Sequence, residues 1–280
     1  MDFGAIISNS IKYPFKDLKN LGFVCLLYVL LLILPAGIFI FKNSITVIFG
    51  ALCLVIFILI LPGYKILVMK SGIDQSENIP SIKVKKSIIN TLKLLVLRIC
   101  YIAIPTIIAI ILTLFATGFA NYPINIANSV FGLNFAFAFD LISGFLNAIW
   151  IIIIVTSIVR FVFSLISYIA KARLANSNSL VEALKIHRVI MDIKQIGFLK
   201  FIGWYVVMGI ILMIVSMIAG ALLLVPYIGF IIYLCIVMPV ICLIYNYSLG
   251  LLYSDFSDGE NDDLDKFEKE LQYLKYGLLR

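Results

Sequence analysis

Charge is what this chain has least of. Only 13% of its 280 residues are Asp, Glu, Lys or Arg, while 63% are hydrophobic and the mean hydropathy is +1.12. Water-soluble domains run at about 25% charged and 45–50% apolar, so this scarcity excludes an ordinary soluble fold. Histidine is nearly missing as well. His187 is the only one, and no Cys or carboxylate cluster at ligand spacing accompanies it, so no credible zinc site can be assembled. No HExxH, GxSxG, P-loop or GxGxxG pattern occurs, which argues against an ordinary hydrolase or ATPase, and no cofactor is implied. Cys25, Cys53, Cys100, Cys235 and Cys242 all lie inside apolar runs without CxxC spacing. They read as small apolar side chains, not as a disulfide or metal framework.

Six long apolar runs remain: Leu21–Phe41, Ile45–Met69, Leu94–Ala120, Leu141–Ala170, Phe201–Val225 and Ile228–Tyr253. Each meets or exceeds the roughly 20 residues needed to cross about 30 Å of hydrocarbon. Only helices fit, because backbone groups in lipid must be satisfied within the segment, and a barrel would show short alternating strands instead. The expected fold is an all-α polytopic membrane bundle of six transmembrane helices. Residues 1–253 form the transmembrane domain. Asp and Glu are absent from the span interiors, which counts against a proton-coupled pump with a buried carboxylate. No cleavable signal peptide is expected, because the first twenty residues are mixed and the first apolar run is long enough to span.

The cations orient the bundle. Of 22 Lys and Arg residues, 21 fall on one face of the six-span reading, and Lys42 is the exception. Cationic loops resist translocation, so this asymmetry puts both termini in the cytoplasm of a cell-membrane protein. Asn121–Asp140, on the opposite face, has no Lys or Arg. Residues 254–280 carry eight acidic and four basic residues, so an acidic cytoplasmic tail lowers a charge of +11 on the rest to the formal +7. Leu264, Phe267, Leu271, Leu274 and Leu278 predict a short amphipathic helix there. Positive-inside asymmetry accounts for the basic balance, and nucleic acid is not an expected partner.

Each hairpin of spans is preceded by a cytoplasmic segment of helical amphipathic pattern. Phe3, Ile6, Ile7 and Ile11 share a face before Tyr13–Pro14 closes the first helix. Pro80–Ser81 starts the second, with Ile82, Ile88, Ile89 and Leu92 facing one way and Lys83, Lys86, Asn90 and Lys93 the other. Ser179 and Glu182 form a capping box for the third. In that helix Lys185, Arg188, Asp192 and Gln195 make a polar stripe, with Arg188 and Asp192 at ion-pair spacing. The chain thus reads as three hairpins, each led by a surface or connecting helix. Five prolines, Pro35, Pro62, Pro105, Pro226 and Pro239, lie in or at the ends of spans, as kinks that either gate or improve packing.

Lys65, Arg98 and Arg160 intrude on the spans near their cytoplasmic ends. Thr156, Arg160, Ser164, Ser167 and Lys171 recur at helical spacing and share one face. Arg160, Lys65, Arg98 and Lys171 are therefore candidate contacts for lipid phosphate or another anion, with Thr156, Ser164 and Ser167 as the polar stripe beside them. The other reading of the same residues is that long basic side chains snorkel to the headgroups. Asp140, Ser143 and Asn147 form a second polar patch at the outer end of that span. Alternating Phe131, Leu133, Phe135, Phe137 and Phe139 read as an extended strip or as an aromatic interface anchor.

The segments MDFGAIISNSIKYPFKDLKN, LPGYKILVMKSGIDQSENIPSIKVKKSIINTLKLLVLRICYIAIP and ARLANSNSLVEALKIHRVIMDIKQIG carry a resemblance. The chain resembles a family of archaeal multi-pass membrane proteins catalogued only as a domain of unknown function. Gly63, Tyr64, Ser71, Gly72, Pro80, Tyr101 and Pro105 stand at the positions that recur in it. The resemblance implies the membrane location and multi-span architecture and supplies no reaction, ligand or active residue. The leading expectation is a non-enzymatic membrane-organising or partner-binding protein. Its partners would be membrane lipids, inner-leaflet anionic headgroups among them, and another membrane protein. The alternatives are a transporter or channel for a small solute or lipid and, third, an intramembrane lipid enzyme.

Overall fold

The computed structural model describes residues 3–36, 38, 42–132, 135–225 and 227–254. Among these the secondary structure is helical. In chain order the helices are α1 (Phe3–Lys16), α2 (Leu18–Ala36), α3 (Ser44–Ile73) and α4 (Val84–Ala116). There follow α5 (Tyr122–Phe131), α6 (Phe135–Ser177), α7 (Leu180–Leu184), α8 (Ile186–Ile196), α9 (Phe198–Leu224) and α10 (Ile228–Ser254). Five helices are long and apolar enough to cross a membrane: α3, α4, α6, α9 and α10. The expected first span corresponds to α2, whose described apolar run is Leu18–Ile33, while Gly37 and residues 39–41 lie outside the described residues. The acidic tail and its expected helix lie outside them too.

The chain divides into two compact units, one of residues 1–94 with 169 onward, the other of residues 95–168. The first unit's large buried side chains gather at the Lys- and Arg-bearing helix ends. Ile6, Tyr13, Tyr64, Trp204, Met208 and Tyr253 are all at most 2% exposed. Tyr13 stacks on Tyr247 with ring centroids 3.7 Å apart, and Trp204 lies between Phe201 and Tyr245. Toward the other ends Ile45, Ile48 and Leu52 are exposed apolar side chains, a surface suited to lipid and not to water.

Three helix boundaries depart from expectation. Pro14 does not close α1, which runs on to Lys16. The hydrogen bond a proline deletes here falls in the last turn, where its loss is mild. The stop comes from Asp17, whose Oδ1 accepts the Asn20 N–H at 3.1 Å and caps α2. Bonds from the Asn20 backbone and side-chain amides hold the Asp17 carboxyl below its ordinary 3.8. A depressed folded-state value means that the cap stabilises above the unfolded pKa and is lost as pH falls through the folded one. Asp17→Ala should therefore lose less thermal stability than the wild type between about pH 5 and pH 3, measured in detergent.

The second expected surface helix is not separate. Helix α4 starts at Val84, not at Pro80, and continues into the span without a break. No Gly or Pro lies between Ser81 and Ile104 to stop it. The repeat of a surface helix before every hairpin thus fails at its middle member. The face is corrected as well: Ser87, Asn90, Thr91 and Leu94 are buried, while Ile89 and Leu92 are exposed. The third departure is the Phe strip, where residues 122–131 and 135 onward are helical, which overturns the extended reading but not the aromatic-anchor one; Leu133 lies outside the described residues. A strand needs a partner strand, and none exists among the described residues.

The small polar face of α4 is buried because α3 comes unusually close. Pro62 interrupts the α3 ladder, and the Thr91 hydroxyl enters it one residue later. Thr91 Oγ1 accepts the Gly63 N–H at 2.8 Å and donates to the Leu59 carbonyl at 2.6 Å, standing between two groups that would otherwise pair with each other. A Cβ on Gly63 would lie 2.7 Å from the Ser87 carbonyl carbon and 2.8 Å from the Thr91 nitrogen, so only glycine fits. Pro105 and Pro239 are accommodated differently. Each follows a π-helical turn, Ile99–Ala103 and Tyr233–Val237, which widens the helix where the ring would meet the preceding turn.

In the second unit Gly118 takes the left-handed conformation (φ 60°) after α4, a turn that suits a residue without Cβ. Phe119 and Tyr122 then pack on Phe145 of α6.

Candidate functional site

The residues singled out on α6 are not gathered into a reactive cluster. Arg98 and Arg160 are exposed in the second unit, and Lys65 is half-buried in the first. Among the described residues these three form no hydrogen bond or ion pair. Lys171 is half-buried in the first unit. Thr156 turns its hydroxyl back to the Ile152 carbonyl at 2.6 Å, as Ser143 does to Asp140 nearer the start of α6. Ser164 is half-buried, and Ser167 is fully buried with its hydroxyl unpartnered. His187 is exposed on α8.

The polar groups that do converge lie in the first unit, and the sequence reading missed their arrangement. The expected Arg188–Asp192 pair does not form. Arg173 Nη1, near the end of α6, donates to both Asp192 oxygens at 2.6 and 2.7 Å, and the Tyr253 hydroxyl of α10 donates to Oδ2 at 3.0 Å. The Asp192 side chain is 4% exposed and that of Arg173 13%. Arg188 pairs instead with Glu182, which also receives Lys185 at 2.7 Å and lies 3.6 Å from Arg173. The Lys185 hydrogen bond leads in holding the Glu182 carboxyl below the usual range. The reason for the exchange is geometric: Asp192 shares its face with Val189 and Ile196, which are buried, while Arg188 faces out. That i, i+3, i+7 placement was a signal available in the sequence. The Ser179 cap of α7 forms as expected, with Ser179 Oγ accepting the Glu182 N–H.

A second cluster clasps the loop between α3 and α4. Tyr13 and Ser71 hydroxyls both donate to the Asn78 carbonyl, at 3.2 and 3.1 Å. Asn20 Nδ2 donates to the Ile79 carbonyl at 3.0 Å and Tyr64 to the Pro80 carbonyl at 3.1 Å. Three consecutive carbonyls of an irregular segment are thus satisfied by side chains of α1, α2 and α3, as a buried backbone requires. Burial pushes the Tyr13 phenol up, so it stays a neutral donor. Lys16 and Glu77 close the outer edge at 2.5 Å, and Lys93 caps the end of α6 through the Asn178 carbonyl at 2.7 Å. Chemically, these contacts fix segments in place. They align no nucleophile with a base.

The family described as Protein of unknown function (DUF4013) matches residues 46–224. The chain belongs to this family. No curated protein and no solved structure matches it. The DUF4013 segment runs from α3 to the end of α9, and so contains Thr91, Arg173, Glu182 and Asp192. Tyr13 and Tyr253 lie outside it, so each cluster joins a family segment to a flanking helix. The resemblance residues fall on the same joints. Gly63 meets α4, Tyr64 and Ser71 hold the loop, and Gly72 lies against Gly250 of α10. Tyr101 lies within the π-turn that precedes Pro105.

Proposed function

We propose that this DUF4013 protein is a six-span protein of the cell membrane with both termini cytoplasmic, acting as a non-enzymatic membrane-organising or partner-binding component. The observation that carries this reading is the use of polar side chains at the Lys- and Arg-bearing helix ends. They hold α1, the 74–83 loop and α8 as a fixed platform beside the spans. Preformed hydrogen-bond networks suit recognition, because less ordering is left to be done on binding. The eight acidic residues of the tail give a partner a charge to recognise, and Lys65, Arg98, Arg160 and Lys171 meet inner-leaflet headgroups. Arg160→Ala leaving anionic-lipid binding unchanged would remove Arg160 from that set.

A second reading, a transporter or channel, draws on the π-turns before Pro105 and Pro239, since such turns often mark functional sites. Proteoliposomes of the purified protein separate the two. The scaffold reading expects them to stay as tight to small ions and solutes as empty vesicles, with the protein in native membranes migrating in a larger complex. Protein-dependent solute flux would contradict it.

A further inference from the structure

The clasped loop borders a groove of about 300 Å³ at the inner ends of α3 and α4. Lys70, Lys83 and Lys86 line it, opposed by one carboxylate, Asp74. Ser76 and Ser81 add hydroxyls, while that of Ser71 is spent on the Asn78 carbonyl. Its excess of positive charge is not offset by backbone carbonyls. The Asn78, Ile79 and Pro80 carbonyls, which would repel an anion, already accept bonds from Tyr13, Ser71, Asn20 and Tyr64. The 15-residue helical stretch Val84–Arg98 begins between two of the lysines, so its N-terminal dipole adds to the same field. A second groove of about 240 Å³ has Pro80 and Ser81 in its wall as well, together with Asn20, Phe23 and Ile82. Phe23 is 52% exposed.

We propose that these adjoining grooves bind one anionic phospholipid. Its headgroup lies among Lys70, Lys83 and Lys86, and its acyl chain lies along Phe23 and Ile82. A free anion would use only the first groove, and a neutral lipid only the second. Their common wall at Pro80–Ser81 suits a molecule with both ends. The volume of the first groove is at the lower limit of small-molecule sites, a size for a compact headgroup. The loop is held in place before any ligand arrives, so binding costs little ordering. This inference rests on the spans crossing a membrane, and it is distinct from the Arg160 contacts.

The test titrates the full-length protein, purified in detergent, with phosphatidylglycerol or phosphatidylcholine and reads bound lipid by native mass spectrometry. Phosphatidylglycerol should bind about tenfold or more tightly than phosphatidylcholine, because only its headgroup brings net negative charge to the three lysines. Lys70→Gln/Lys83→Gln/Lys86→Gln should abolish the preference, and Lys12→Gln/Lys19→Gln/Lys85→Gln, with the same charge loss elsewhere, should keep it. Ser81→Glu, a change at an exposed wall residue, gives an independent variant if the triple change disturbs folding, and it should also abolish the preference. Wild-type binding by either groove variant, or equal loss in the control, overturns the proposal. Displacement by excess sodium phosphate alone overturns the lipid assignment in favour of a free-anion site. Protein that stays dispersed without detergent would instead contradict the membrane reading itself.

Discussion

Asp192→Ala lowers the unfolding free energy of the detergent-solubilised protein by about 3–5 kcal/mol, the cost of breaking a buried ion pair from one side. Asp192 accepts both Arg173 bonds and the Tyr253 hydroxyl, and its side chain is 4% exposed. Its removal leaves a guanidinium that is 13% exposed, with the Glu182 carboxylate 3.6 Å away. Arg173→Met/Asp192→Leu removes both charges and should recover most of the loss, since apolar replacement of a whole buried pair is often neutral. Tyr253→Phe should cost about 1 kcal/mol, one hydrogen bond to a group that keeps its main partner. Equilibrium unfolding of the three variants measures all of this. An Asp192→Ala protein within about 1 kcal/mol of wild type would mean that the network does not hold α6, α8 and α10 together.

Gly63→Ala destabilises by about 3 kcal/mol or more, at the upper end for overpacking. The added methyl meets backbone, not the end of a flexible side chain, so α4 must move off α3. That movement also withdraws Thr91 from between the Gly63 N–H and the Leu59 carbonyl, leaving an interrupted ladder open beside Pro62. Thr91→Ser retains the hydroxyl and should be nearly neutral. Thr91→Val keeps the shape but loses both bonds, and about 1–3 kcal/mol with them. Equal stability of the serine and valine variants would contradict the inserted-hydroxyl description.

The helices themselves were legible from composition, because long uncharged runs have few other solutions in lipid. So was the Ser179 cap, whose residue types and spacing are local. Packing partners were harder to read. A hydrophobicity pattern assigns the Ile face of α4 to the protein, yet inside lipid apolar side chains are content on either side. Contact there selects small and hydroxyl-bearing residues, which is why Ser87 and Thr91 face inward and Ile89 and Leu92 face out. Asp192 was misread for a related reason. Spacing along α8 offered it Arg188, while its actual partners Arg173 and Tyr253 lie 19 and 61 residues away. Thr156, Ser164 and Ser167 all fall on α6, where Thr156 spends its hydroxyl on its own backbone.

Accessibility labelling of single-cysteine proteins, in a background lacking the five native thiols, tests the orientation most directly. A membrane-impermeant maleimide added to intact cells should modify Lys42→Cys, and should reach Lys85→Cys and Lys185→Cys only after the membrane is opened. Labelling of Lys85→Cys or Lys185→Cys from outside intact cells, with Lys42→Cys protected, would contradict the arrangement.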